Sequence, residues 1–273
     1  MEELQFTEFT GADAATAKAF LAASGGSVEA AVGAFFQTGG TLPATTAAAG
    51  DAPQPPPRPT SVTMASTSQF THGMQGKSAC TTMAICACAR LIDRAAAAAL
   101  TAADVDAIVA DGVASYIANP LSAAGTAPHM SFGEAFAGGS APGVGAAAPA
   151  RPFSEALRVH SEVGGITSDA FDFLATTAAP LAASLSAPVG IVVTKPPESV
   201  AVIVDPSGSA MVIDSHPRPH LDHLNAAHAL SFASVREAQR WLLALFPPMD
   251  LSDCDPAQAF MYNAYDAVLL TKH

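Results

Sequence analysis

A thiol at the start of an apolar helix is well placed to act as a nucleophile, and Cys80 opens such a stretch, Cys80 to about Asp93. The loop before it is broken by Gly73 and Gly76 and carries two glutamines, Gln69 and Gln75. A cysteine there meets the positive end of the helix dipole and unpaired backbone N–H groups, both of which favour thiolate. The same N–H groups, helped by an upstream glutamine amide, can receive the oxyanion that forms when a thiolate attacks a carbonyl. A half-buried structural cysteine following a loop would give the same local pattern, so a base has to be sought elsewhere in the chain.

That base is found in Met211-Val212-Ile213-Asp214-Ser215-His216-Pro217-Arg218. Residues two apart on a strand project from one face, so Asp214 and His216 at a strand end lie side by side. The carboxylate would fix the tautomer of His216 and stabilise its imidazolium, and His216 would take the proton of Cys80. His72 is nearer to Cys80 in sequence, but no carboxylate stands beside it, and it reads as a loop residue. His216, His220, His223 and His228 match no zinc spacing, and Pro217 and Pro219 break any helix that would align them. Neither a metal nor another cofactor is predicted. Cys86, Cys88 and Trp241 read as core residues. Glu198 and the acidic segment Asp250–Asp255 are candidates for facing a basic substrate tail, although solvated loop charges are the commoner meaning of such residues.

Three short helices are predicted over 1–39: Glu2–Phe9, Asp13–Ala23 and Ser27–Phe36, the last with Ser27 as N-cap. Residues 40–60 are rich in Ala, Thr and Pro, end on Pro53-Gln54-Pro55-Pro56-Pro57-Arg58-Pro59, and read as a linker. From 61 to 273 the pattern predicts helices over Cys80–Asp93 and Thr101–Tyr116, a loop over Asn119–Ala150, and helices near Phe153–His160 and Asp169–Leu185. Strands follow at Val189–Thr194, Val200–Val204, Ala210–Asp214 and Ala229–Phe232, then a helix over Val235–Phe246 and a strand within Tyr262–Leu270. Helices first and antiparallel strands later predict an α+β domain.

Composition limits the function classes. With 273 residues, half of them hydrophobic, the chain can bury a core of ordinary size. A net charge of -12, with only 12 Lys and Arg, disfavours nucleic acid, which is bound through clustered cations. The mean hydropathy of +0.31 comes largely from alanine, and no window offers a membrane span. No basic stretch followed by an apolar run opens the chain, and four cysteines form neither a disulfide framework nor a CxxC pair. An intracellular protein, cytoplasmic or nuclear, is predicted.

Two resemblances are carried by these residues. Gln69, Gly76, Cys80 and Asp214-Ser215-His216 resemble the motifs of the papain-like deubiquitinases of the herpesvirus large tegument protein and their cellular relatives. The order Cys, Asp, His departs from papain, where the third member follows the histidine, and favours the tegument-like group. Gln69 fits the longer tegument-like spacing, whereas Gln75, five residues before Cys80, fits the papain-like one. The resemblance implies a cysteine protease that hydrolyses the bond after the last glycine of ubiquitin through a thioester acyl-enzyme. A protease for another ubiquitin-like modifier, or an inactive ubiquitin-binding adaptor, are the alternatives it leaves.

The N-terminal segment resembles the ubiquitin-associated (UBA-like) bundle, on Phe9-Thr10-Gly11-Ala12, Ala17-Lys18-Ala19-Phe20-Leu21 and the stretch Gly26–Phe36. In that family the turn after the first helix and the end of the third touch ubiquitin. This implies Phe9, Thr10 and Gly11, with Phe35 or Phe36, as contacts. A bundle of about 40 residues also needs nearly every large side chain in its core. That requirement assigns Phe35 to packing and leaves Phe9 open.

Overall fold

The computed structural model describes residues 2–10, 12–23, 28, 31–32, 35, 56–93, 100–123, 129–141, 151–221, 223–249 and 262–273. Two compact units divide the chain, one within residues 1–55 and the other running from Pro56 to Pro248 and taking in the last strand. Most of the expected linker, like Gly11, Phe36 and Asp250–Asp255, lies outside the described residues.

In the first unit, α1 (Glu2–Thr10) and α2 (Ala14–Ala23) are joined by a short turn. Asp13 caps α2 by accepting from Thr16 N–H at 2.7 Å. Phe6, Phe20 and Phe35 meet with centroids 5.4–5.9 Å apart and, with Ala17, Leu21 and Ala31, form the core. Phe35 is thus a packing residue. Phe9 is 61% exposed at the end of α1, where Thr10 Oγ1 donates to Phe6 O at 2.8 Å.

The second unit is built on a seven-stranded antiparallel sheet. Its strands are β1 (Ser61–Met64), β2 (Arg158–Ile166), β3 (Val189–Lys195), β4 (Glu198–Val204), β5 (Ala210–Asp214), β6 (His228–Phe232) and β7 (Ala264–Thr271). They lie in the order β1-β6-β5-β4-β3-β7-β2. The helices are α3 (Gly73–Lys77), α4 (Cys80–Leu91), α5 (Ala102–Ala118), α6 (Phe132–Gly138), α7 (Ala179–Leu185) and α8 (Val235–Leu245). On one face of the sheet, Met83, Ile85, Val105 and Ile108 from α4 and α5 pack on Val192, Ala201, Ile213 and Val268. On the other, Trp241, Leu242 and Leu245 of α8 pack on Val202, Val204, Val212 and Leu230. Because both faces are covered, β3 and β4 are apolar at nearly every position rather than alternating.

The α+β architecture is the one the pattern predicts, with local corrections. Asn119–Ala150 is not one loop: it holds a turn of helix at Pro120–Ala123 and α6, which starts at a capping box of Ser131 and Glu134. Phe153–His160 is helical only over Phe153–Ala156, after which β2 begins. Its burial alternates along an edge strand, and a register shift between Val159 and Ser161 places Val159 against the core on one side of the sheet and Val163 against the core on the other. Leu174–Ala178 forms a π-helical turn ahead of α7. The strand β1 has no counterpart in the sequence reading.

Candidate active site

The loop before α4 folds onto the end of β5, and that contact assembles the site. Gln69 N–H donates to Ser215 O at 3.1 Å, Ser215 Oγ donates to Gln69 Oε1 at 2.7 Å, and Gln69 Nε2 donates to Lys77 O at 3.3 Å. The α3 turn then closes so tightly that a side chain at Gly76 would bring its Cβ to 2.0 Å from the Gln69 carbonyl oxygen. Glycine is therefore required there. Ala79 N–H donates to Gly76 O at 3.1 Å, and Cys80 follows as the first residue of α4, 2% exposed. The two glutamines part here: Gln69 is 1% exposed within this network, and Gln75 points to solvent from α3.

Asp214 ends β5 in full burial, opposite His228 on β6. Its Oδ1 accepts from the backbone N–H of His216 at 2.9 Å and lies 2.6 Å from His216 Nδ1. One carboxylate oxygen thus fixes both the backbone and the ring of the histidine, leaving Nε2 for the thiol. Phe70 stands edge-on to the imidazole with centroids 6.0 Å apart. Asp214 Oδ2 accepts from Arg218 Nε at 2.8 Å.

The thiol has partners that the sequence did not indicate. His129, on the loop ahead of α6, and His216 lie where they favour the Cys80 thiolate, as does the backbone of Ser199. That loop is anchored by Thr81 Oγ1, which donates to Met130 O at 3.0 Å and lies 3.0 Å from Ser199 Oγ. Cys80 Sγ also lies 3.8 Å from Pro197 O. Burial disfavours the thiolate, yet the proximity of His129 and His216 and the charge of His216 outweigh it, and the thiol is lowered to about 6. Burial likewise disfavours the imidazolium, but Asp214 and Glu198 overcome it and raise His216 to about 10. Asp214 is held well below the ordinary carboxylate range: burial opposes its charge, and Arg218 and His216 prevail. At neutral pH the pair rests as thiolate and imidazolium.

The remaining candidates separate from this cluster. Burial pushes the Cys86 thiol far up and Cys88 up to about 12, which leaves both inert. Glu198 is half-buried, and its carboxylate is bound by Arg218. His220 and His223 are exposed, and His228 Nδ1 lies 3.0 Å from Ala226 O. Among the described residues no group of three or more His, Cys, Asp or Glu could hold a metal ion, and no helix is long and apolar enough to cross a membrane.

The charge pair predicts a pH signature. Alkylation of Cys80 by iodoacetamide needs only the thiolate, so its rate rises with pH through about 6 and then holds. Acyl transfer also needs the imidazolium as proton donor, so its rate falls again as pH passes about 10. The two limbs belong to the coupled pair rather than to either residue. Measuring both reactions from acid to alkaline pH checks this; an alkylation rate that tracks an unperturbed thiol would exclude the pair.

Comparison with known proteins adds to this geometry. Residues 4–41 match the UBA-like domain family. No curated protein matches the chain. Among solved structures, it is similar to the ubiquitin-specific protease encoded by murine cytomegalovirus tegument protein M48, in complex with a ubiquitin-based suicide substrate. The two are 21% identical, with a TM-score of 0.49 over 78% of this chain and 87% of that one. The chain thus combines a segment, residues 4–41, that matches the UBA-like domain family with an α+β unit in which a cysteine-headed helix packs on an antiparallel sheet.

Proposed function

We propose that this protein is a deubiquitinating cysteine protease, with Cys80 as nucleophile, His216 as base and acid, and Asp214 as the orienting carboxylate. The observation that carries this reading is the buried thiol at a helix start, paired with an imidazole whose other nitrogen is held by a fully buried carboxylate. The thiolate attacks the carbonyl of the last glycine of ubiquitin, and the developing oxyanion is received by N–H groups at the start of α4 with the Gln69 amide. Imidazolium His216 protonates the leaving amine and leaves a thioester. Neutral His216 then takes a proton from water, whose attack on the thioester releases ubiquitin and regenerates the thiolate–imidazolium pair.

Ubiquitin as the substrate is supported by the UBA-like domain of residues 4–41. Phe9 and Thr10, with Gly11 beside them in sequence, form its contact surface in this reading. Tethering a ubiquitin-binding module to the protease raises the local substrate concentration without new contacts at the thiol.

Ubiquitin bearing a C-terminal thiol-reactive group tests the proposal. The expected product is one ubiquitin adduct per chain, mapped by mass spectrometry to Cys80 and much slower to form in His216→Ala. Absence of an adduct with ubiquitin still bound would identify an inactive adaptor; absence of both would remove ubiquitin as the partner.

A further inference from the structure

Arg218 is 4% exposed, and its guanidinium spans carboxylates on two strands. Nε donates to Asp214 Oδ2 at 2.8 Å, Nη2 to Glu198 Oε2 at 2.6 Å and Nη1 to Glu198 Oε1 at 3.3 Å. Glu198 heads β4 directly after Pro197, whose carbonyl faces Cys80 Sγ. Asp214 is fully buried and the Glu198 side chain only 18% exposed, so with both carboxylates on one guanidinium, removing that cation would lead one of the pair to take up a proton. Arginine suits that position because it never gives up its charge and presents a rigid fork of donors.

We propose that Arg218 is a positioning residue of this site, bridging Asp214 and Glu198 so that both stay ionised and Asp214 keeps one oxygen free to orient His216. Without the bridge, Asp214 and Glu198 share a proton, His216 loses anionic support, and the thiolate of Cys80 loses its counter-ion. Other charged or titratable groups surround the bridge. His228 faces Asp214 from β6, His220 lies in the turn after Arg218, Lys195 acts on Glu198 from β3, and His216, Cys80 and His129 lie on the thiol side. None of these groups binds both carboxylates as Arg218 does. The inference rests on the reading of Cys80 and His216 as nucleophile and base.

The test is the pH profile of Cys80 alkylation by iodoacetamide in the full chain, corrected with Cys80→Ala, for Arg218→Gln, Arg218→Lys and the double variant Arg218→Gln/Glu198→Gln. Near pH 6, on the acid limb of the coupled pair, Arg218→Gln is expected to react about tenfold more slowly than the parent, with the gap closing in alkaline solution. Arg218→Lys, which keeps the charge but not the fork, is expected to fall between the two. The double variant removes the like charge together with its counter-ion, and its acid limb is expected to return close to that of the parent.

A folded Arg218→Gln whose deficit is the same at every pH would reduce Arg218 to a structural residue. So would a double variant whose acid limb is displaced as far as tenfold, and this second comparison decides the matter if Arg218→Gln does not fold. Labelling of the parent by the ubiquitin probe is scored separately. Its failure would sink the modifier assignment and leave the alkylation comparison intact.

Discussion

Replacing Cys80 with alanine is expected to lower kcat/KM for cleavage of a ubiquitin C-terminal amide by at least about ten-thousandfold, roughly 5.5 kcal/mol of transition-state stabilisation. The residual rate would come from oxyanion contacts and substrate binding, which the substitution leaves in place. Removing one sulfur from a buried position costs on the order of 1 kcal/mol of stability, so the variant folds. Ubiquitin affinity should stay near that of the parent, because the contact surface proposed in the UBA-like domain is untouched. Cys86→Ala and Cys88→Ala supply the contrast. Both thiols are buried in the core with ionisation pushed upward, so these variants should lose stability and keep their kcat/KM. Steady-state hydrolysis beside urea unfolding separates the cases. A Cys80→Ala protein that keeps more than about a hundredth of the parent rate would remove the thiol from the mechanism.

How much of this site was legible in the sequence depended on how local each contact is. Asp214 and His216 are two residues apart, and their proximity follows from short-range geometry alone. The structure adds that the same Asp214 oxygen also takes the His216 backbone N–H, closing a turn just past the strand end. Cys80 at a helix start is likewise local. Its meeting with His216 is tertiary, and in the sequence the two motifs are joined only by the chemistry each needs from the other and by the resemblance to a known family. Gln69 and Gln75 could not be separated by spacing, because what separates them is the close approach at Gly76 and the hydroxyl of Ser215, far along the chain.

Arg218 and His129 left no usable signal, and Glu198 stood out only as an acidic residue beside a turn, not as a partner of Arg218. A buried arginine is recognisable only once the carboxylates of two strands are known to flank it, and a loop histidine only once the loop is anchored by Thr81. The missed helix α6 was a different kind of miss. Ser131 and Glu134 form a capping box that any reader could find, but the Gly, Ala and Pro content around it suggested a loop. The edge strand β2 was misread because Phe153–Ala156 starts helically and the alternation begins only after it.

Asp214→Asn should be nearly as damaging as loss of the nucleophile, for reasons that set it apart from a simple loss of charge. An asparagine can occupy the same volume, but its amide presents a donor where either His216 Nδ1–H or Arg218 Nε–H now finds an acceptor. Either His216 is driven to the wrong tautomer or Arg218 is left facing a donor. The tautomer effect alone lowers turnover by about ten-thousandfold in the serine-protease triad, and an effect of that order is expected here. The acid limb of Cys80 alkylation should also move to higher pH, since Asp214 is the foremost group holding His216 as imidazolium against its burial.

Stability changes in a pH-dependent way as well. A carboxylate held below its ordinary value contributes stability that is fully present above about 3.9, the unfolded value, and is lost as pH falls toward the folded one. The parent should therefore exceed Asp214→Asn most near neutrality, by roughly 3 kcal/mol for a broken buried ion pair, with the gap narrowing in acid. Urea unfolding of both proteins at neutral and acid pH measures this directly. A gap that does not narrow in acid would show that Asp214 stabilises the fold through its hydrogen bonds and shape, with its charge serving catalysis alone.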